Sequence, residues 1–188
     1  VLEEYIRREY PRYPLISSTT KRITDLESLQ AELDRDYYLV VLDYDLNHDE
    51  GVLEAIAPSA GRVEVLVNEV CYPGCAMRAE HYRQQSELQL AYDIHTGFPC
   101  PNQSTPRSFA ECMGRPAFIT NEKIGGYIDR GFCNFKIAGR GMPQDYVEES
   151  YLYFLVKEEH RDFIRSKIDG LLAQFKAAQQ GAGHKKFI

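Results

Sequence analysis

The sequence has no apolar run near the roughly 20 residues that a membrane-spanning helix requires, and no signal-peptide pattern opens it. A cytoplasmic location is therefore the expectation. It also lacks an excess of positive charge. The formal net charge is −6, which argues against a surface built for non-specific binding to phosphate backbones, although not against a local basic pocket. A nucleophile elbow, an HExxH zinc-protease helix and a phosphate-binding glycine loop are all missing. Neither an internal repeat nor a domain linker is visible.

What is present fits one globular domain with a substantial core. The chain has 188 residues, 44% hydrophobic and 27% charged. Residues 1–180 read as a single α/β domain and residues 181–188 as a flexible tail. Residues 1–10 already resemble helix interior, with Leu2, Tyr5 and Ile6 on one side. Two origins are open for that start: residues missing upstream, or a short tag removed from a whole domain.

The pattern alternates strand and helix. Residues 14–19 (PLISST) read as a short strand. Thr24 and Glu27 then read as a capping box before Leu26, Leu29 and Leu33 at helical spacing. Residues 37–42 (YYLVVL) form a continuous apolar run, as in a strand buried on both faces of a parallel sheet. A short helix over 49–56 and a strand over 63–67 follow. Residues 76–92 are helical in pattern. Residues 94–114 are rich in Pro, Gly, Ser and Thr, without periodicity, and read as a long loop of the kind that is usually functional or organised by a ligand. A strand over 116–120, a helix over 122–129, a strand over 133–138 and one or two helices over 144–179 complete the count. About five strands, each followed by a helix or crossover, imply a parallel sheet, open or closed.

The strongest chemical signal is Asn68-Glu69-Val70-Cys71-Tyr72-Pro73-Gly74-Cys75-Ala76-Met77-Arg78-Ala79-Glu80-His81. It leaves a buried strand and enters a helix, the position where parallel α/β folds place their sites. Cys71 and Cys75, around Pro73-Gly74, can direct two sulfurs at one metal. Cys100 and Cys112, in the aperiodic loop, could close a four-thiolate site holding zinc or an iron–sulfur centre. The plain alternative is that they are small, buried apolar residues. Cys133, inside a strand pattern, is either an alternative fourth ligand or a packed structural cysteine. Five cysteines and no sign of an oxidising compartment fit a disulfide framework poorly.

Lys136 and Arg140 flank Gly139 at the end of the last strand and could hold a carboxylate or phosphate; a salt-bridged pair is the simpler role. Arg78 and His81 share a helix face, and His81 is a candidate proton carrier. Ser17, Ser18, Thr19, Lys21, Asp43, Asp45 and Asn47 stand at strand ends, where caps and loop hydrogen bonds are the usual function.

At the cysteine motif and at Gly131-Phe132-Cys133-Asn134-Phe135-Lys136-Ile137-Ala138-Gly139-Arg140, followed by Asp145-Tyr146-Val147, the chain resembles peptidase family U32, the collagenase-like peptidases. The likeness runs over residues 17–153 and is most specific over 66–82 and 131–147. Two departures are Ala138, where the family usually has Glu, and the cysteine spacing. The resemblance implies a TIM-like (β/α) barrel, here a partial barrel lacking the first strands, with its site at the carboxyl ends of the strands. It further implies a [4Fe–4S] cluster, with zinc as the alternative, and an oxygen-independent hydroxylase or modifying enzyme acting on RNA or a small aromatic molecule. Cys71, Cys75, Cys100 and Cys112 would be the ligands, with Lys136, Arg140, Asn68, Glu69 and His81 around the substrate. A peptidase, and so a hydrolase, is the remaining alternative, although no nucleophile–base pair in the sequence supports it. Open sheet edges in a partial barrel call for a homo-oligomer or a covering partner.

Overall fold

A computed structural model describes residues 2–92, 98, 100, 108–139 and 142–181. Its centre is a four-stranded, all-parallel sheet: β1 (Ile16–Ser17), β2 (Leu39–Val41), β3 (Val63–Leu66) and β4 (Asn134–Lys136). Spatial order follows chain order. Ile16 lies opposite Leu39, Val40 opposite Val63, and Leu66 opposite Lys136. Helix α1 (Leu2–Glu9) precedes β1, and α2 (Leu26–Leu33) and α3 (Glu50–Ile56) occupy the first two crossovers. The third is long and holds α4 (Arg78–Leu90), α5 (Phe109–Met113) and α6 (Asn121–Asp129). Helices α7 (Gln144–Leu155) and α8 (Arg161–Gly181) follow β4. Among the described residues, no helix is long and apolar enough to cross a membrane.

Winding in one direction places the helices on one face. Leu29 and Leu33 of α2, Val52, Leu53 and Ile56 of α3, and Tyr127 of α6 pack with Val40, Leu42, Val63, Val65 and Val67 in one core. Right-handed crossovers between neighbouring parallel strands force this arrangement. The alternate strand positions face the other way. There Val41 and Leu66 are buried near the strand ends, whereas Ile16 is 51% exposed. Glu64 and Lys136 also sit on that face and pair at 3.1 Å.

Several expected elements differ. Asp25, not Thr24, caps α2, accepting from the Ser28 amide at 2.8 Å. This aspartate, one residue after Thr24, satisfies a free amide of the first turn. The strand expected over residues 116–120 does not form. Ala117, Phe118 and Ile119 are buried, but their one ladder-like bond is Ile119 N–H to Val67 O at 2.9 Å. β2 and β4 already pair with β3 on its two sides, so β3 has no flank left for residues 116–120. The described sheet has four strands, not about five. The loop expected over 94–114 contains α5, with Ser108 as its N-cap. Cys133 is exposed just before β4 rather than packed inside a strand. The expected tail falls outside the described residues from 182 onward, and Gly181 belongs to α8.

Candidate functional site

The carboxyl ends of β2, β3 and β4 carry the chemistry. After β2, Asp43 accepts from the Asp45 amide at 3.0 Å and starts a single 3-10 turn. Tyr44 in that turn is only 1% exposed. After β3, Glu69 folds back so that one carboxylate oxygen accepts from the amides of Val70 and Cys71, both at 2.8 Å. Pro73 leads into Gly74, whose φ of +68° needs a residue without a Cβ. The chain thereby turns between Cys71 and Cys75 and enters α4.

Arg78, in the first turn of α4, locks this loop to β2. Its guanidinium is buried and donates to Asp43 Oδ1 at 2.9 Å and Asp45 Oδ1 at 3.1 Å, with a further contact to Asp43 Oδ2. It stacks over the Tyr44 ring at 4.3 Å. Burial disfavours its charge, but Asp43 more than compensates, and its pKa is raised. One buried donor here, Arg78 Nε, has no hydrogen-bond partner.

Three of the predicted ligands come together. Cys71, Cys75 and Cys100 line one pocket with Arg78, His81 and Phe98. His81 stacks on Phe98, with ring centroids 4.4 Å apart and planes within 10°. The free space is about 10 Å³, about what one water needs. Burial pushes the Cys71 thiol up to about 12, with the nearby Glu69 carboxylate adding to it. A bound cation would reverse that preference, since a coordinating thiol is deprotonated. Among the described residues, no three His, Cys, Asp or Glu side chains form a ready-made metal-binding group. A metal centre here would therefore need these side chains to draw together around it. The soft donors fit such a centre by type and by their shared pocket.

Cys112 does not line this pocket. It is fully buried in a second cluster with Phe109, Phe118 and Tyr146, its sulfur 3.0 Å from the Tyr146 hydroxyl and 3.6 Å from Asn68 O. Burial raises its pKa, opposed by the Tyr146 contact. Asn68 is likewise buried. Its amide nitrogen donates to Ala138 O at 2.8 Å and to the Tyr146 hydroxyl at 3.2 Å, and its Oδ1 accepts from Ala138 N at 2.7 Å. Its side chain thus joins the ends of β3 and β4 to α7. Lys136 points to the open sheet face, engaged with Glu64. Arg140 lies outside the described residues.

Sequence patterns did not single out Tyr44 or Phe98. Tyr44 sits between two aspartates at a strand end, a position without periodicity, and Phe98 lies in a stretch with none. No protein-family model matches the chain, and no curated protein or solved structure does so either.

Proposed function

We propose that this chain is a U32 peptidase-like protein, an arc of a (β/α) barrel, whose cysteines hold an iron–sulfur cluster at the carboxyl ends of its strands. The observation that carries the reading is the convergence of Cys71, Cys75 and Cys100 on one pocket beside β3. The one-directional parallel sheet with helices on one face supports the barrel arc. Cys71, Cys75 and Cys100 supply three thiolates, and Cys112 supplies the fourth if its contact with Tyr146 yields. When bound, the cluster supplies one-electron chemistry. The activity proposed is an oxygen-independent hydroxylation or related modification of RNA or a small aromatic molecule. Lys136 and Arg140 would hold an anionic part of the substrate, and Glu69 shapes the loop by binding its own amides. A partner or second copy would cover the exposed part of the sheet around Ile16.

One observation favours a second reading, a structural zinc. His81 lines the same pocket as the three cysteines, and Cys₃His is a common closed zinc set.

Anaerobic purification followed by absorption spectroscopy and iron, sulfide and zinc analysis separates the two. A broad visible band, with iron and sulfide near about four each, supports the cluster. Zinc alone in a colourless protein supports the structural site. Neither metal overturns both.

A further inference from the structure

An open cavity of about 610 Å³ lies across the amino ends of the strands, at the opposite end of the sheet from the cysteine motif. Small-molecule sites typically measure about 300–1,000 Å³. Leu15, Leu39, Gly61 and Asn134, each at or just before the start of a strand, line it. So do three arginines, against one acidic residue, Asp36. Arg7 is already engaged, donating to Glu3 at 3.0 Å and to Asp36 O at 2.9 Å. Arg62 is held differently. Its Nη2 donates to the carbonyls of Arg35 at 2.8 Å and Tyr37 at 3.0 Å. Those bonds fix the guanidinium but leave its Nε and Nη1 donors uncommitted among the described residues, and they supply no counter-charge. Arg12 is exposed and meets no carboxylate among the described residues. Two uncompensated cations thus share one concavity in a chain of net charge −6, and a cleft lined by one sign of charge concentrates its potential. Tyr13 and Tyr38 line the same cavity, 69% and 65% exposed. Exposed aromatic faces beside planar guanidinium groups suit a flat ring that carries an anion.

We infer that this cavity binds a small organic phosphate bearing a planar ring, of which a nucleoside monophosphate is the simplest type. Arg62 and Arg12 hold the phosphate, whose oxygens match the forked donors of a guanidinium. Tyr13 and Tyr38 hold the ring. Arg62 contributes the larger share, because a side chain already anchored by two carbonyls loses little freedom when the ligand arrives. Inorganic phosphate would engage the arginines alone and leave both tyrosines unused. The site needs no metal and does not rest on the reading of the cysteine pocket.

The test is isothermal titration calorimetry of the full chain at low salt, with adenosine monophosphate, uridine monophosphate, adenosine and inorganic phosphate as probes. Wild type is compared with Arg12→Gln and Arg62→Gln, and thermal unfolding of each protein accompanies the titrations. Both nucleotides are expected to bind more tightly than adenosine or inorganic phosphate. Arg12→Gln removes no contact within the protein, so it is expected to keep wild-type stability while nucleotide affinity falls on the order of tenfold. Arg62→Gln is expected to weaken binding further, and Arg12→Gln keeps the test decisive if loss of the two carbonyl bonds unsettles the fold. No binding of either nucleotide would overturn the inference. So would adenosine or inorganic phosphate binding as tightly as the nucleotides, or nucleotide affinity unchanged in Arg12→Gln.

Discussion

Asn68 and Ala138 are joined by two hydrogen bonds that imitate a strand pair: the Asn68 side chain accepts from Ala138 N at 2.7 Å and donates to Ala138 O at 2.8 Å. A carboxamide carries one acceptor and two donors, so it extends the β3–β4 ladder beyond the last backbone pair. Asn68→Ala leaves both groups of Ala138 unpaired and is expected to destabilise the fold by about 2–4 kcal/mol. Asn68→Asp is expected to do nearly the same, because a carboxylate cannot donate to Ala138 O. Urea unfolding of the three proteins checks this.

Removing Arg78 strands Asp43 without its counter-charge in the interior. Arg78→Met is expected to cost about 3–5 kcal/mol. Adding Asp43→Asn, which keeps an oxygen for the Asp45 amide, is expected to recover part of that loss. The double variant should differ from the sum of the singles by more than about 1 kcal/mol. Additive effects would mean that the two side chains do not interact.

The cysteines differ in access, and alkylation should rank them. Cys133 is exposed and Cys112 buried, while Cys71, Cys75 and Cys100 lie between. Brief iodoacetamide treatment of the native, reduced protein at pH 8 should label Cys133 first. Cys71 and Cys112 should label slowly, since burial raises both thiols and the thiolate is the reactive form. Peptide mass spectrometry reads the order, and early labelling of Cys112 would contradict its placement against Tyr146.

Glu32 should dominate part of the acid limb of stability. Burial works against its charge, but hydrogen bonds from Lys21 and Ser17 outweigh burial and hold its pKa below the ordinary 4.5. A depressed carboxyl contributes stability that is present above its unfolded pKa and is lost as pH falls through the folded one. Stability should thus decline below about pH 4.5, and Glu32→Gln should flatten that decline. Lys21 is shifted upward, because Glu32 and Tyr37 outweigh its burial. Its contribution should be lost only as the pH rises beyond about 10.5. Unfolding midpoints between pH 2 and pH 11 test both limbs.

Lys136 and Glu64 pair on the open face of the sheet, with nearly half of the lysine side chain exposed. Such a pair contributes little, and Lys136→Ala should shift stability by less than about 1 kcal/mol. A larger loss in urea unfolding would show that this face is more enclosed than its exposure indicates.

Much of the framework was legible because periodicity reports burial directly. The alternating Val63, Val65 and Val67 face α2, α3 and α6, and Leu29 and Leu33 lie on the buried side of α2. Residues 116–120 misled for the same reason: they are apolar and buried, but burial alone does not provide a strand partner. The cysteines were legible as a group and not as a partition. Cys71, Cys75 and Cys100 share a pocket, whereas Cys112 is drawn to Tyr146, distant in sequence.

Sequence by itself determined the α/β alternation, the strand-end position of the Asn68–His81 motif and the turn at Gly74, since each depends on neighbours in the chain. Tertiary structure alone decided that the described sheet has four strands, that Arg78 bridges Asp43 and Asp45, and that the Tyr44 ring is buried beneath the Arg78 guanidinium. Those features depend on which crossovers pack together, and long-range packing leaves no periodic trace in the residues that it unites.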